Sequence, residues 1–128
     1  MNFYRIVFLI CLFFMTMHVQ AKRYEYNGKC RFNGYMEDFE QCLNKELAMY
    51  DRELNNIYKS FNPNKNLKKA EALWVKFKEA DCDYMANEVN EGREFPVIEK
   101  ACLINKTQAR IVDLKRSFFY SEWFKKNI

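Results

Sequence analysis

Residues 42–64 read CLNKELAMYDRELNNIYKSFNPN. Within them Leu43, Leu47, Tyr50, Leu54, Ile57 and Phe61 recur at steps of three and four. That spacing lays one apolar stripe along a helix of about six turns, beginning near Glu37. Asn62-Pro63-Asn64 ends it, because proline has no amide N–H with which to continue the ladder. A second stripe of Ala70, Leu73, Trp74, Phe77, Ala80 and Tyr84 predicts a helix from about Leu67 to Glu88, with those residues inward. Glu91-Gly92 breaks the pattern, and Pro96 suits the first turn of a third helix. The third stripe is Val97, Ala101, Ile104, Ile111, Leu114 and Phe118. Upstream, Lys22 to Tyr35 is polar and aromatic and reads as an irregular lead-in. No segment alternates as a half-buried strand would. The expected fold is all-α, an antiparallel three-helix domain with short connections. A short further helix at the C-terminus is compatible with it.

The start of the chain has a different character. Arg5 precedes an apolar run from Ile6 to Met17, and Val19-Gln20-Ala21 supplies small or modest residues before a cleavage point. Such a run is too short to span a bilayer and reads as a signal peptide over residues 1–21. Residues 22–128 are then one exported domain, large enough for a core and small enough to gain from cross-links. The net charge of +4 is mild, and the lysines are spread rather than clustered. Neither nucleic-acid binding nor a polybasic membrane anchor follows from it. The only histidine, His18, lies in the leader. Its removal excludes Ser-His-Asp and Cys-His catalysis and histidine metal sites from the mature domain. No cofactor or metal is expected, and no spacing nominates a carboxylate pair for hydrolysis.

Of the five cysteines, Cys11 leaves with the leader, while Cys30, Cys42, Cys82 and Cys102 form an even set in an exported chain. Helix one starts near Cys42, helix two ends near Cys82 and helix three starts near Cys102. An up-down-up arrangement puts all three at one pole, and Cys30 in the lead-in reaches the same place. The four are expected to be disulfide-bonded. Local closure favours Cys30–Cys42 with Cys82–Cys102, and bundle geometry also permits Cys42–Cys82 with Cys30–Cys102.

Several short stretches carry a resemblance. Glu53-Leu54-Asn55-Asn56-Ile57-Tyr58 is similar to an E-L-N-x-x-Y motif. Residues 70–82, AEALWVKFKEADC, are similar to A-Q-x-x-W-x-x-F/Y-R-D-A-x-C. Cys102-Leu103 and Thr107-x-x-Arg110-x-x-x-Leu114 complete the series. Together they resemble the LprI-like family, a domain named for a mycobacterial lysozyme inhibitor, across roughly Cys30 to Lys115. The resemblance implies a periplasmic or secreted protein whose target is a lysozyme, another periplasmic or extracellular protein being the alternative partner. The want of any nucleophile–base set separately argues against an enzyme. Glu71 stands where the family pattern has glutamine, and Lys78 where it has arginine. Lys78 keeps the charge but loses the planar bidentate fork. Read by their stripes, Trp74 and Phe77 are core anchors, and Leu54 and Tyr58 face the same core. Asn55 lies off the stripe, where it suits a cap or a bridge to a neighbouring helix. Arg110, one turn after Thr107, is expected to pair with Glu46 or Glu53 of helix one.

Charge layout supplies the candidate binding surface. Glu88, Glu91, Glu94 and Glu99 surround the second turn, with Arg93 the only opposing charge. Glu37, Asp38 and Glu40 open helix one at the same pole, where carboxylates also suit helix N-termini. Lys65, Lys68, Lys69, Lys115, Arg116, Lys125 and Lys126 mark the opposite pole. After Arg116 come Phe118, Phe119, Tyr120, Trp123 and Phe124, expected to close the open face of the three-helix layer. An inhibitor would press its acidic pole into a cationic enzyme, with opposite charge speeding encounter. The competing class is an envelope structural, stress or toxin-immunity module with no lysozyme target.

Overall fold

The computed structural model of the chain describes residues 25–89 and 92–128. The leader, with Cys11 and His18, lies outside the described residues, as does Glu91. Three helices follow in order: α1 Met36–Ser60, α2 Lys65–Val89 and α3 Phe95–Asn127. Among the described residues there is no strand, and no helix is long and apolar enough to cross a membrane.

Local chemistry sets the boundaries. Glu37 and Asp38 sit in the first turn of α1 and Lys59 in its last, each complementing the helix dipole. Asn62 takes a left-handed φ of 47°, which asparagine tolerates better than most residues. Asn64 then caps α2, its Oδ1 accepting the Leu67 N–H at 2.9 Å. Pro96 occupies the start of α3, where its missing N–H costs nothing.

The long helix α3 is the spine. It packs against α1 along most of that helix's length and against α2 on another side, while α1 and α2 scarcely touch. Helices α1 and α3 run parallel in register. Leu43 meets Val97 and Ile104 in one core cluster, and Leu54 meets Ile111 and Leu114 in the next. At the far end Phe61 stacks on Phe118 with ring centroids 5.0 Å apart. The stripes read from the sequence on α1 and α3 are the faces that meet, with Leu43 and Ile104 fully buried.

Two expectations fail. On α2 the predicted inward stripe faces solvent: Leu73, Phe77 and Tyr84 are 58%, 57% and 62% exposed, and Ala70 and Ala80 are exposed too. Only Trp74 of that set is half-buried. The inward face is Glu71, Trp74, Lys78, Asp81, Cys82 and Met85, rotated by about one residue, or 100°. Ion pairs and a disulfide, not apolar area, orient α2. Residues 118–127 also do not fold back. With no glycine or proline after Pro96 to stop it, α3 continues to Asn127, and Phe119, Tyr120, Trp123 and Phe124 stay about half or more exposed.

The disulfides are Cys30–Cys42 and Cys82–Cys102, with Cα separations of 5.9 and 5.5 Å, the pairing that local closure favours. The first fastens the lead-in to α1. A buried carboxylate, Glu46, fastens it a second time. Its Oε1 accepts the Lys29 N–H at 2.7 Å, and its Oε2 accepts the Tyr26 hydroxyl and, at 3.4 Å, the Cys30 N–H. The Asn105 side chain brackets the same segment, accepting from the Asn27 N–H at 2.9 Å and donating to the Glu25 carbonyl at 2.7 Å.

Candidate functional site

Because α1 and α3 are parallel, their N-terminal turns lie at one end, and antiparallel α2 delivers its last turns there. The disulfides stand at that end as well, so the pole inferred from the cysteines is a structural unit. Glu37, Asp38, Glu88 and Glu94 are exposed on it, and Glu99 is half-buried. Glu40 is engaged by Lys100 of α3 in an ion pair. Beside the Cys82–Cys102 bond lies a small cavity of about 200 Å³, lined mainly by apolar groups including Tyr26, Phe39, Met85, Val97 and Ile98. The pole thus combines an apolar depression with exposed carboxylates on three chain segments.

The motif residues gather elsewhere, in an open cleft of about 430 Å³ between α1 and α2. Leu54, Asn55 and Tyr58 form one wall; Glu71, Trp74 and Lys78 form the other. Leu54 is buried into the core below, and Asn55 is exposed at the rim. The Trp74 ring is bracketed by two cations, Lys78 Nζ at 4.7 Å and Arg110 Cζ at 5.8 Å from its centroid. Such placement favours a tryptophan electrostatically as well as by area. Arg110 grips Glu71 through Nε at 2.8 Å and through a second guanidinium nitrogen. Lys78 lies 3.6 Å from Asp51 of α1. The expected partners of Arg110 are otherwise occupied: Glu46 holds the lead-in, and Glu53 is 3.4 Å from Lys115. Arg110 of α3 therefore pairs with α2 rather than α1.

Phe77 is not a core anchor but carries Lys106 over its exposed ring at 5.1 Å, and Lys106 in turn pairs with Asp81. Leu114 is buried in the second core cluster. Thr107 is completely buried, and its hydroxyl has no hydrogen-bond partner among the described residues. One ionisable group is clearly perturbed. The Tyr26 hydroxyl is pushed up to about 12, first by burial and then by its bond to the Glu46 carboxylate. Among the described residues no set of three histidine, cysteine or carboxylate groups is arranged to hold a metal.

The family model described as lysozyme inhibitor LprI matches residues 31–114. The chain belongs to the LprI family. No curated protein and no solved structure matches it. The LprI match takes in all of α1 and α2 and stops at Leu114, so the last turns of α3 lie beyond it. Within the match, Glu71, Trp74, Lys78 and Arg110 hold α2 against the α1–α3 pair, while Leu54 and Leu114 pack α1 on α3. The polar inward face of α2 was missed by apolar periodicity, yet one signal pointed to it. Cys82 has to face α3 to reach Cys102, and steps of three and four back from Cys82 give Lys78, Trp74 and Glu71.

Proposed function

We propose that this protein is an exported inhibitor that blocks a lysozyme by protein–protein contact through its acidic, disulfide-fixed pole. Membership of an inhibitor family carries the reading. Two features of the pole support it. Its carboxylates on α1, α2 and α3 are held by short cross-links, so little conformational entropy is lost on docking. An apolar depression bordered by charge also matches the anatomy of a protein interface, with a dry centre and a polar rim. A cationic enzyme approaches this pole despite the net positive charge of the chain, because Glu37, Asp38, Glu88 and Glu94 are exposed there while Lys65, Lys68, Lys69, Lys115, Arg116, Lys125 and Lys126 lie toward the other end. Two disulfides in an LprI domain fit an oxidising, extracytoplasmic location, and we place the protein in the periplasm. The reaction is none: the protein works by occupying a surface, not by turning over a substrate.

The test is lysis of a cell-wall suspension by lysozymes of several types. Purified protein should suppress clearing, and the double substitution Glu88→Lys/Glu94→Lys should weaken suppression, more so at low salt. Absence of any suppression at micromolar excess would reject the lysozyme target and leave an envelope or immunity role.

A further inference from the structure

The C-terminal half of α3 presents a surface that neither the core nor the acidic pole uses. Helical geometry of about 100° per residue puts Val112, Arg116, Phe119, Tyr120, Trp123 and Phe124 on one side. The side opposite carries Leu114, Ser117, Phe118 and Ser121, which border the crevice against Phe61 and Leu67. The aromatic side therefore points away from the bundle. Exposure confirms this: Val112 is 51% exposed, and the four aromatic residues lie between 49% and 66%. Lys115 and Lys126 fall along its edge by the same geometry, and Arg116 lies within it. Lys125 lies on the opposite side, 2.8 Å from Glu122.

We infer that this face is a docking surface for an anionic lipid bilayer, on which α3 lies in the plane of the headgroups. Aromatic rings interleaved with cations are what an interfacial helix needs. Tryptophan and tyrosine settle at the boundary between headgroups and acyl chains, and lysine and arginine reach the phosphates. Charge selects the lipid: Arg116 within the face and Lys115 and Lys126 along its edge outnumber Asp113, which the same geometry places within it, although Lys115 also lies 3.4 Å from Glu53 of α1. Area argues against a second copy of the chain. Four half-exposed rings offer roughly 400 Å² per copy, so a symmetric pair buries roughly 800 Å², in the range of crystal packing rather than of a stable dimer. The cations would also face each other across such a pair. Bound this way, the molecule keeps its aromatic end on the membrane, and the acidic pole lies about 30 Å or more farther along α3, parallel to the bilayer surface.

The full chain with Trp74→Phe leaves Trp123 as its single tryptophan and a reporter on the face itself. With vesicles of phosphatidylglycerol and phosphatidylcholine, its emission should shift to the blue and be quenched by brominated acyl chains. Pure phosphatidylcholine vesicles should give little of either. Reversing Lys115, Arg116 and Lys126 to glutamate should weaken partitioning by at least 100-fold, at roughly fivefold for each cation lost. Binding without quenching of Trp123 would show attachment through some other segment and overturn the proposal. So would a blue shift that needs no lipid and tracks a concentration-dependent dimer. Lysis inhibition in solution is a separate readout, which these substitutions leave unchanged.

Discussion

Removing the Glu71–Arg110 pair should detach α2 more effectively than removing any apolar contact it makes. The two side chains retain 13% and 19% of their exposure, and Arg110 engages Glu71 through two nitrogens while standing over Trp74. Breaking a fully buried pair by deleting one partner costs about 3–5 kcal/mol, because the other charge is left desolvated and unpaired. The residual exposure here lets water reach the orphan, which reduces the expected cost of Glu71→Ala or Arg110→Ala to about 2–3 kcal/mol. In a domain of this size that corresponds to a fall in Tm of roughly 10–20 °C. Glu71→Gln behaves differently. The amide oxygen still accepts from Nε, so about 1 kcal/mol is lost, and the glutamine of the LprI pattern is restored. Arg110→Lys should fall between, since lysine cannot hold Glu71 through a fork. Urea unfolding of the two single variants and the double variant closes a cycle, with a coupling of about 2 kcal/mol expected. Additive single effects, or a Glu71→Gln variant as unstable as Glu71→Ala, would refute the claim that this pair orients α2.

Other consequences are more local. Replacing Cys82 and Cys102 by alanine opens a loop with a sequence separation of 20 and should cost about 3 kcal/mol in urea unfolding; helical circular dichroism at 25 °C should persist while lysozyme inhibition falls. Tyr26 has its hydroxyl raised to about 12 in the fold, against 10.0 as the ordinary value. Its stabilising contribution is therefore complete below pH 10 and lost as pH rises through about 12, so Tyr26→Phe should flatten the loss of stability seen by urea unfolding between pH 9 and 12. Thr107→Val removes a buried hydroxyl that has no partner while keeping its shape, and should leave stability unchanged or raise it by up to about 1 kcal/mol. A loss of more than about 1 kcal/mol would mean that the hydroxyl is bonded after all.

Much of the fold was legible because α1 and α3 bury themselves by area. Leu43, Leu54, Ile104 and Leu114 recur at helical spacing, and each is buried. Helix α2 is held by different physics. Its strongest apolar stripe, from Leu73 through Phe77 to Tyr84, is the outer face, and its inner face carries Glu71, Lys78 and Asp81. Periodicity counts apolar groups, so it selects the wrong side whenever ion pairs and a disulfide decide orientation. The partner of Arg110 was misread for the same reason. Once α2 is turned, Glu71 comes within reach, and Glu46 is already spent on the lead-in. The acidic pole was legible from helix order and cysteine positions alone, since parallel helices must start at one end. The Glu46 hub was not, because its donors are backbone groups of an irregular segment.

The LprI match and the charge layout divide the molecule in an informative way. From residue 31 to Leu114, the span of the family match, the chain carries two packed stripes, the Cys82–Cys102 bridge and the ion pairs that seat α2, while Cys30, the partner of Cys42, lies just before it. Past Leu114 the helix goes on through Asn127, with Phe118 stacked on Phe61 just after α1. A free helical end exposing four aromatic rings to water is unfavourable unless something covers them. It stands at the opposite end from the acidic pole and carries the opposite charge. Attachment through that face, as proposed, leaves the acidic pole off the attached segment of α3. The proposed attachment face and the proposed inhibitory pole lie at opposite ends of α3 and do not compete for surface.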